Sequence, residues 1–347
     1  MARYLTAADV EGRLHWPDVV EALRRGHEGL ALAGAALGDQ FLGRDADTLL
    51  SRAAWLPGLG AGVKSVTVLP GNPARGLPSV HGAMVVFADA TGEVEAVIDS
   101  ALVTRWKTAA DSLLGSLLLA RPEPERLVIL GAGAVADSLV EGYRAAFPTI
   151  GDVAIWNRTP ERAALLAERH GARAVADLAA AVGEADIVAA ATMASEPVLR
   201  GEWVRPGTHV DLIGAFTAAM READDALVRC ARLFVDARET TLDHIGELLI
   251  PLREGTIARG DVLGDLADLV AGRAGREARD EITLFKNGGG AHLDLMTARA
   301  IMAAAGADEA VAATGDASPA ARDAAPTARD ASPAARDASP TTRGGRG

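Results

Sequence analysis

The order of apolar and polar residues divides the chain into two regions with different patterns. In the first 120 residues, helical patterns near residue 6 and over 16–32 precede short apolar or alternating runs. Such runs, separated by turns rich in glycine, proline and asparagine, predict the strands of one sheet. The predicted strands cover residues 48–55, 62–69, 82–88 and 94–98. A helix over about 100–120 is expected next, ended by Pro122. This region therefore reads as a mixed α+β unit.

From residue 126 onward, short apolar runs alternate with helical stretches. The apolar runs cover residues 127–130, 153–156, 172–175, 187–191, 209–213 and 233–235. The helical stretches that separate the first of them cover residues 134–147, 160–170 and 178–182. Buried strands that alternate with helices indicate a parallel, doubly wound sheet, so we expect an α/β fold.

The C-terminal end has a composition of its own. From Asp316 the chain repeats a seven-residue unit four times, DASPAAR, DAAPTAR, DASPAAR and DASPTTR, and ends in GGRG. Proline in every copy forbids a continuous helix, and the small side chains bury too little surface to offset the entropy of ordering. We predict a disordered tail over residues 314–347.

Composition narrows the class of protein. A length of 347 residues suggests two domains, and 49% hydrophobic with 24% charged residues is typical of a globular chain. Because 47 acidic residues outnumber 35 basic ones, for a formal charge of −12, binding to nucleic acid is not expected. No apolar run approaches 18 residues, so no membrane span is predicted. The single cysteine, Cys230, favours a cytoplasmic location.

A glycine motif follows the first strand of the second region. The run 127–130 leads into Gly131-Ala132-Gly133-Ala134-Val135-Ala136, which is G-x-G-x-x-A between a strand and a helix. The first glycine permits a tight turn, the second lets the backbone approach a pyrophosphate, and the alanine permits close helix–strand packing. The helix N-terminus then offers free N–H donors. These features predict a dinucleotide site.

The end of the second strand bears on which dinucleotide is bound. A site for NAD usually places an acid there, whereas this chain has Asn157 followed by Arg158. Asparagine does not repel a 2′-phosphate and arginine can pair with it, so NADP(H) is favoured over NAD(H). The residues assigned to the cofactor are Gly131, Ala132, Gly133, Ala134, Val135, Asn157, Arg158, Thr159, Thr192 and Asn287.

Seven stretches, in order, give the chain a family resemblance. They are GVKSVTVLPGNPARGLPSVHG (62–82), RWKTAADS (105–112), LGAGAVA (130–136), WNRT (156–159), MREADDAL (220–227), GDL (264–266) and LFKNGGGAHLD (284–294). Together they resemble the ornithine cyclodeaminase/mu-crystallin family over roughly residues 1–312. The resemblance implies a Rossmann domain over 123–290 and a substrate-binding and dimerisation domain over 1–122, completed by about 291–313.

The same resemblance implies a homodimer that reduces imines, or oxidises amines, at the α-carbon of small amino acids with a nicotinamide cofactor. It assigns the substrate carboxylate to Lys64 and to the basic residue of the R-T-A-A motif, which is Lys107 here instead of the usual arginine. It also assigns acid–base catalysis to Asp224, and makes Lys64 and Asp224 the catalytic candidates. No metal is implied.

The residues themselves suit this chemistry. Imine reduction requires a hydride donor, a cationic anchor for the carboxylate and an acid for the nitrogen. Lys64 lies in an apolar strand, where a lysine is costly to bury unless it is paired or liganded. Arg52 lies where the family usually has an apolar residue, and strand alternation could aim it into the pocket. His81 could contact the substrate or be structural. A second family arginine falls near Gln40, with Arg44 as a substitute.

These observations predict an imine reductase that forms a small L-amino acid, from a substrate like Δ1-pyrroline-2-carboxylate or iminosuccinate. Ornithine cyclodeaminase is a second reading, although only Asp45 and Asp47 in residues 40–70 could meet a distal ammonium group. A non-catalytic NADP(H)-binding protein is a third.

Overall fold

The computed structural model describes residues 2–28 and 34–306 and contains two sheets. The first sheet has six strands in the spatial order β1-β6-β5-β4-β3-β2. Their bounds are β1 (Arg3–Leu5), β2 (Ala36–Arg44), β3 (Asp47–Leu56), β4 (Gly60–Val68), β5 (Val80–Phe87) and β6 (Val94–Asp99). Neighbouring strands are antiparallel except for β1, which runs parallel to β6.

Helices cover one face of this sheet. The helices from this half of the chain are α1 (Ala7–Val10), α2 (Trp16–His27) and α3 (Ser100–Leu119). The last helix, α11 (Ala291–Ala304), returns to pack against α2, α3 and strands β2 to β5. Along β4, Gly62, Lys64 and Val66 face the helices, and the residues between them face the other side. Because successive side chains of a strand alternate between its two faces, the Lys64 side chain lies on the face covered by the helices.

The second sheet has eight strands, all parallel, in the order β13-β12-β14-β11-β10-β7-β8-β9. Their bounds are β7 (Arg126–Leu130), β8 (Asp152–Trp156), β9 (Arg173–Ala174), β10 (Ile187–Ala190), β11 (His209–Leu212), β12 (Arg232–Val235), β13 (Val262–Gly264) and β14 (Thr283–Lys286). The order reverses between β7 and β10, where doubly wound sheets bind ligands at the carboxyl ends of the strands.

Helices connect these strands. They are α4 (Ala134–Ala146), α5 (Pro160–His170), α6 (Leu178–Glu184), α7 (Asp225–Cys230), α8 (Arg238–Thr241), α9 (Gly246–Glu254) and α10 (Leu266–Val270). Short 3₁₀ turns occupy Asn72–Arg75, Gly201–Trp203 and Arg259–Asp261. Helix α3 also packs against α4, β11 and β14, so it contacts both halves of the protein. Among the described helices, none combines the length and apolar character needed to cross a bilayer.

The predicted α/β fold class is confirmed, and most predicted elements are present within a residue or two. The pattern did not predict β1, β2, β13 or β14. The helix predicted over 16–32 ends at His27, with Glu28 as its C-cap, and residues 29–33 lie outside the described part. The tail predicted at 314–347 also lies outside it.

Candidate active site

The turn after β7 has the shape that a pyrophosphate requires. Gly131 has a φ of +115°, and a Cβ there would lie 2.5 Å from the carbonyl oxygen of Ala191, so only glycine fits. A Cβ on Gly133, the N-cap of α4, would meet nothing within 4 Å, which leaves its backbone open to a ligand. Ala136 is fully buried against the sheet. The loop and the start of α4 therefore fit the phosphates of a dinucleotide.

The turn after β8 lies beside the glycine turn that follows β7. The Asn157 amide donates to the carbonyl oxygen of Thr159 at 2.9 Å, which fixes the turn that opens α5. Arg158 is exposed, and its guanidinium forms no hydrogen bond or ion pair with a described residue. No carboxylate occupies the turn, so it can accept a negatively charged ribose substituent.

A buried glutamate joins the ends of β10 and β11. Glu222 accepts hydrogen bonds from the Thr192 amide and hydroxyl, both at 2.7 Å, and from the Gly214 amide at 2.6 Å. Burial, with the carboxylate of Glu247, raises the pKa of Glu222 to about 7. Thr192 therefore lies at the expected edge of the sheet, with its donors bonded to Glu222.

The loop after β14 is held between α3 and β12. Asn287 donates to the Thr108 carbonyl oxygen at 2.9 Å and to the Ser112 hydroxyl at 3.0 Å. The Asp236 carboxylate accepts from the backbone amides of Gly288 and Gly289. The Asn287 side-chain amide thus contacts α3 and fixes the loop. Its described hydrogen bonds do not reach the glycine turn after β7.

Three basic side chains, Arg52, Lys64 and Lys107, form what we call the cationic cluster. Arg52 on β3 is directly opposite Lys64 on the neighbouring strand β4. Lys107 on α3 lies above them, and its charge and that of Arg52 both act on Lys64. A Cβ on Gly289 would lie 2.5 Å from Lys107 Nζ and 3.8 Å from an Arg52 nitrogen. The structure brings together the three basic residues that the sequence singled out.

Arg52 and Lys64, the two strand residues of the cationic cluster, each pair with a different carboxylate. Arg52 Nε lies 2.9 Å from Asp39 Oδ2, and Lys64 Nζ lies 2.6 Å from Asp294 Oδ1. Burial lowers the pKa of Lys64, and the positive charges of Lys107 and Arg52 lower it further, whereas Asp294 opposes the shift. A lysine whose pKa is lowered in this way gives up its proton more readily and is suited to proton transfer.

Other candidate residues lie elsewhere. Arg44 is exposed at the tip of the β2–β3 hairpin, where it pairs with Asp47. Asp45 forms the turn itself, with a φ of 54°. Neither Asp45 nor Asp47 reaches the cationic cluster. His81 is exposed and pairs with Thr67, which places it on the face of the sheet opposite Lys64.

Asp224 acts as the N-cap of α7. Its Oδ1 accepts from the amides of Leu227 and Gly201, both at 2.9 Å. The acid that joins the strand ends is Glu222, two residues earlier. The acid–base role of Asp224 stays a prediction, and the described contacts give its carboxylate a capping role.

Sequence reasoning missed Asp294, Gly289 and Glu222. Asp294 and Gly289 both lie within LFKNGGGAHLD, and Glu222 lies within MREADDAL, so the motifs contained them. The available signal was a charged residue in an otherwise apolar helix, which applies to Asp294. Which of the three acids in MREADDAL turns inward depends on loop geometry that the sequence pattern does not encode.

Comparison with known proteins identifies the family. The model of the "Ornithine cyclodeaminase/mu-crystallin family" matches residues 54–309. The chain belongs to this family. The resemblance drawn from the seven motifs is thereby confirmed, and the match covers the second sheet and strands β4, β5 and β6 of the first.

Members of the family with known names or structures are similar along most of the chain. A Δ1-pyrroline-2-carboxylate reductase of Paracoccus denitrificans is 57% identical over 305 residues, which is 86% of this chain and 96% of that protein. The structure of the Thermococcus litoralis Δ1-pyrroline-2-carboxylate reductase with NADH and L-proline superposes with a TM-score of 0.81. It is 29% identical and covers 88% of this chain and 98% of its own. An archaeal alanine dehydrogenase dimer with bound NAD gives the same TM-score at 29% identity, covering 89% and 97%.

Proposed function

We propose that this chain is a Δ1-pyrroline-2-carboxylate reductase, which reduces the cyclic imine to L-proline with a nicotinamide dinucleotide. The observation that carries the proposal is the 57% identity to the Paracoccus denitrificans reductase along nearly its full length. The cationic cluster supports it, because the substrate is a small carboxylate. Imine reduction at a C=N bond makes the chain an NAD(P)-dependent oxidoreductase.

The reaction adds a hydride to the imine carbon and a proton to the nitrogen, as the C=N electron pair moves to the nitrogen. The dinucleotide supplies the hydride when bound. Lys107 would hold the carboxylate by charge-assisted hydrogen bonds and so orient the imine carbon. Glu222 would hold the loops after β10 and β11 in place.

Lys64 would supply the proton. It is nearly buried, its pKa is lowered by burial and by two neighbouring cations, and Asp294 fixes its position. Asp224 is engaged in capping α7, so Lys64 is the better-placed donor in the described contacts. Proton transfer from a positioned side chain typically contributes about 10²–10⁴-fold to such a rate.

We propose NADPH as the preferred cofactor, because Arg158 has no partner among the described residues and the turn after β8, Asn157-Arg158-Thr159, contains no acid. Asn157→Asp would place a negative charge beside the 2′-phosphate, so kcat/KM with NADPH should fall and that with NADH should hold or rise. Steady-state kinetics with both cofactors measures this. A wild-type enzyme that already prefers NADH strongly would contradict the proposal.

We also propose a homodimer in which the first sheet forms the interface. The sheet face opposite Lys64 exposes Leu42, Leu49 and Trp55, and β2 is exposed along its whole length. An apolar face next to an open strand edge is a typical association surface. Sedimentation velocity of the full chain would detect the dimer, and Trp55→Glu should weaken it. For location, the single cysteine favours the cytoplasm.

Arg52 supports a second candidate substrate, a dicarboxylic imine such as iminosuccinate. Its guanidinium lies in the cationic cluster and could meet a second carboxylate. Arg52→Met should then lower kcat/KM for iminosuccinate much more than for the monocarboxylic cyclic imine. Equal losses on both substrates would assign Arg52 a structural role.

The deciding experiment is NADPH oxidation by the purified full chain with a panel of imines. We expect the highest kcat/KM with Δ1-pyrroline-2-carboxylate and formation of L-proline. Ammonia release from ornithine, without imine reduction, would assign a cyclodeaminase instead. Tight NADPH binding with no turnover on any member of the panel would assign a non-catalytic binding protein.

A further inference from the structure

The three basic residues of the cationic cluster differ in how they are paired. Arg52 is bonded to Asp39 and Lys64 to Asp294. Lys107 is equally buried, yet its ammonium group forms no hydrogen bond or ion pair anywhere in the described ranges 2–28 and 34–306. Burying most of a lysine side chain without giving its ammonium group a protein acceptor is costly, so Lys107 is the member of the cluster available to a ligand carboxylate.

A carboxyl group lies one helical turn from Lys107. Asp111 is four residues further along α3, so the two side chains project from the same face of the helix. Asp111 has no exposed surface, and neither of its oxygens has a hydrogen-bond partner among the described residues. The Asp111 carboxyl group and the Lys107 ammonium group thus belong to buried side chains on one face of α3, with no hydrogen bond or ion pair between them.

The surroundings of Asp111 determine its charge. The carboxyl groups of Asp236, which follows β12, and Asp211 on β11 act on it, and so do the positive charges of Lys286 on β14 and Lys107. Burial raises the pKa of Asp211 itself to about 7. Tyr143 on α4 donates its hydroxyl to Asp211 and does not reach Asp111. Burial is the largest influence and, with the two carboxylates, raises the pKa of Asp111 well above its usual range. These influences favour the protonated form of Asp111, which leaves the charge of Lys107 uncompensated.

We propose that Asp111 is a positioning residue that controls access to Lys107: protonated, it leaves the ammonium group to the substrate carboxylate, and ionised, it competes for it. This rests on the proposed function only in so far as the ligand is a small carboxylate. Substrate affinity would accordingly be linked to one proton and would fall at alkaline pH.

The test measures binding instead of turnover. The probe is pyrrole-2-carboxylate, a planar carboxylate that cannot accept a hydride and does not titrate between about pH 6 and pH 10. Its Kd would be measured by calorimetry with NADPH-saturated wild type and Asp111→Asn across that range. We expect equal affinities at low pH. Toward high pH the Kd of the wild type should rise, by at most about tenfold per pH unit for one linked proton, and that of the Asn variant should stay level.

Two variants separate Asp111 from the alternative that Lys107 itself loses its proton. Lys107→Arg does not titrate in this range, so it should keep the alkaline rise in Kd. A rise that persists in Asp111→Asn, or one that disappears in Lys107→Arg, would overturn the proposal. A wild-type Kd that does not change with pH would also overturn it.

A measurement on the wild type alone covers the case in which Asp111→Asn does not fold. Binding at the pH where the Kd rises should take up protons, seen as a dependence of the calorimetric heat on the ionisation enthalpy of the buffer. Binding without proton uptake there would overturn the proposal. Because the probe is unreactive, failure of every imine to be reduced would refute the proposed function and leave this test intact.

Discussion

At the scale of single residues, Lys64 and Asp294 depend on each other. Removing one partner of a buried pair leaves the other charge uncompensated, which costs about 3–5 kcal/mol. We expect Lys64→Ala to lower the melting temperature and, because the proton donor is lost, to reduce kcat/KM by about 10²-fold or more.

The double variant Lys64→Ala/Asp294→Ala separates the two effects. It removes both charges, so the melting temperature should recover, whereas the activity should not. Recovery of activity with stability would show that Lys64 has only a structural role. Thermal unfolding and steady-state kinetics on the same preparations decide this.

Lys107 should behave differently, because it has no partner among the described side chains. Lys107→Ala breaks no ion pair with a described carboxylate, so the melting temperature should hold or rise. The KM for the imine should increase at least tenfold. Lys107→Arg restores the family's usual residue and should keep activity or change the substrate preference. An Ala variant with an unchanged KM would remove Lys107 from the carboxylate site.

The residues found from the sequence are those whose chemistry is unusual for their position. Lys64 stands out because it interrupts an apolar strand, and Lys107 and Arg52 stand out against the family pattern. Asp294 and Asp111 were not found, because a carboxylate in a helix does not identify its partner until the neighbouring elements and their lysines are known. His81 lies in a recognisable motif, but the pairing of the strands was needed to show which face of the sheet its side chain occupies.

At the scale of elements, the loop after β14 is shaped around Lys107. Gly289 has a φ of +73°, and its missing side chain leaves the space that Lys107 Nζ occupies. Gly289→Ala should displace the ammonium group and raise the KM for the imine, with NADPH affinity unchanged.

The matched control is Gly255→Ala. Gly255 has a φ of +74°, but a Cβ there would meet nothing within 4 Å. Both substitutions carry the same backbone strain, about 1–2 kcal/mol, and only the first touches the cluster. Equal KM values for the two variants would mean that the loop does not position Lys107.

The elements that the pattern missed share a physical cause. Strand β2 shows no alternation of apolar and polar residues, because all nine of its residues are exposed in the single chain. Strands β1 and β13 have three residues each, which is too short for a period to be recognised. Strand β14, TLFK, begins with a threonine and ends in a lysine, so it is not an uninterrupted apolar run. Strands β7 and β10 were predicted because burial on both faces favours apolar residues there.

At the scale of the whole molecule, the repeat tail is expected to contribute nothing to the fold. Its prolines and small side chains offer little apolar surface to bury. A chain truncated after residue 313 should keep its melting temperature and its kcat/KM. A loss of several degrees on truncation would show that the tail docks.

In the proposed dimer, the open edge at β2 would make protein concentration part of the stability of this fold. The strand ends its sheet and pairs only with β3, so in a single chain its outer backbone groups are left to water. A second copy that covers the edge binds only the folded state, and mass action then adds free energy in proportion to the logarithm of concentration. Dilution alone should therefore lower the temperature at which the enzyme unfolds.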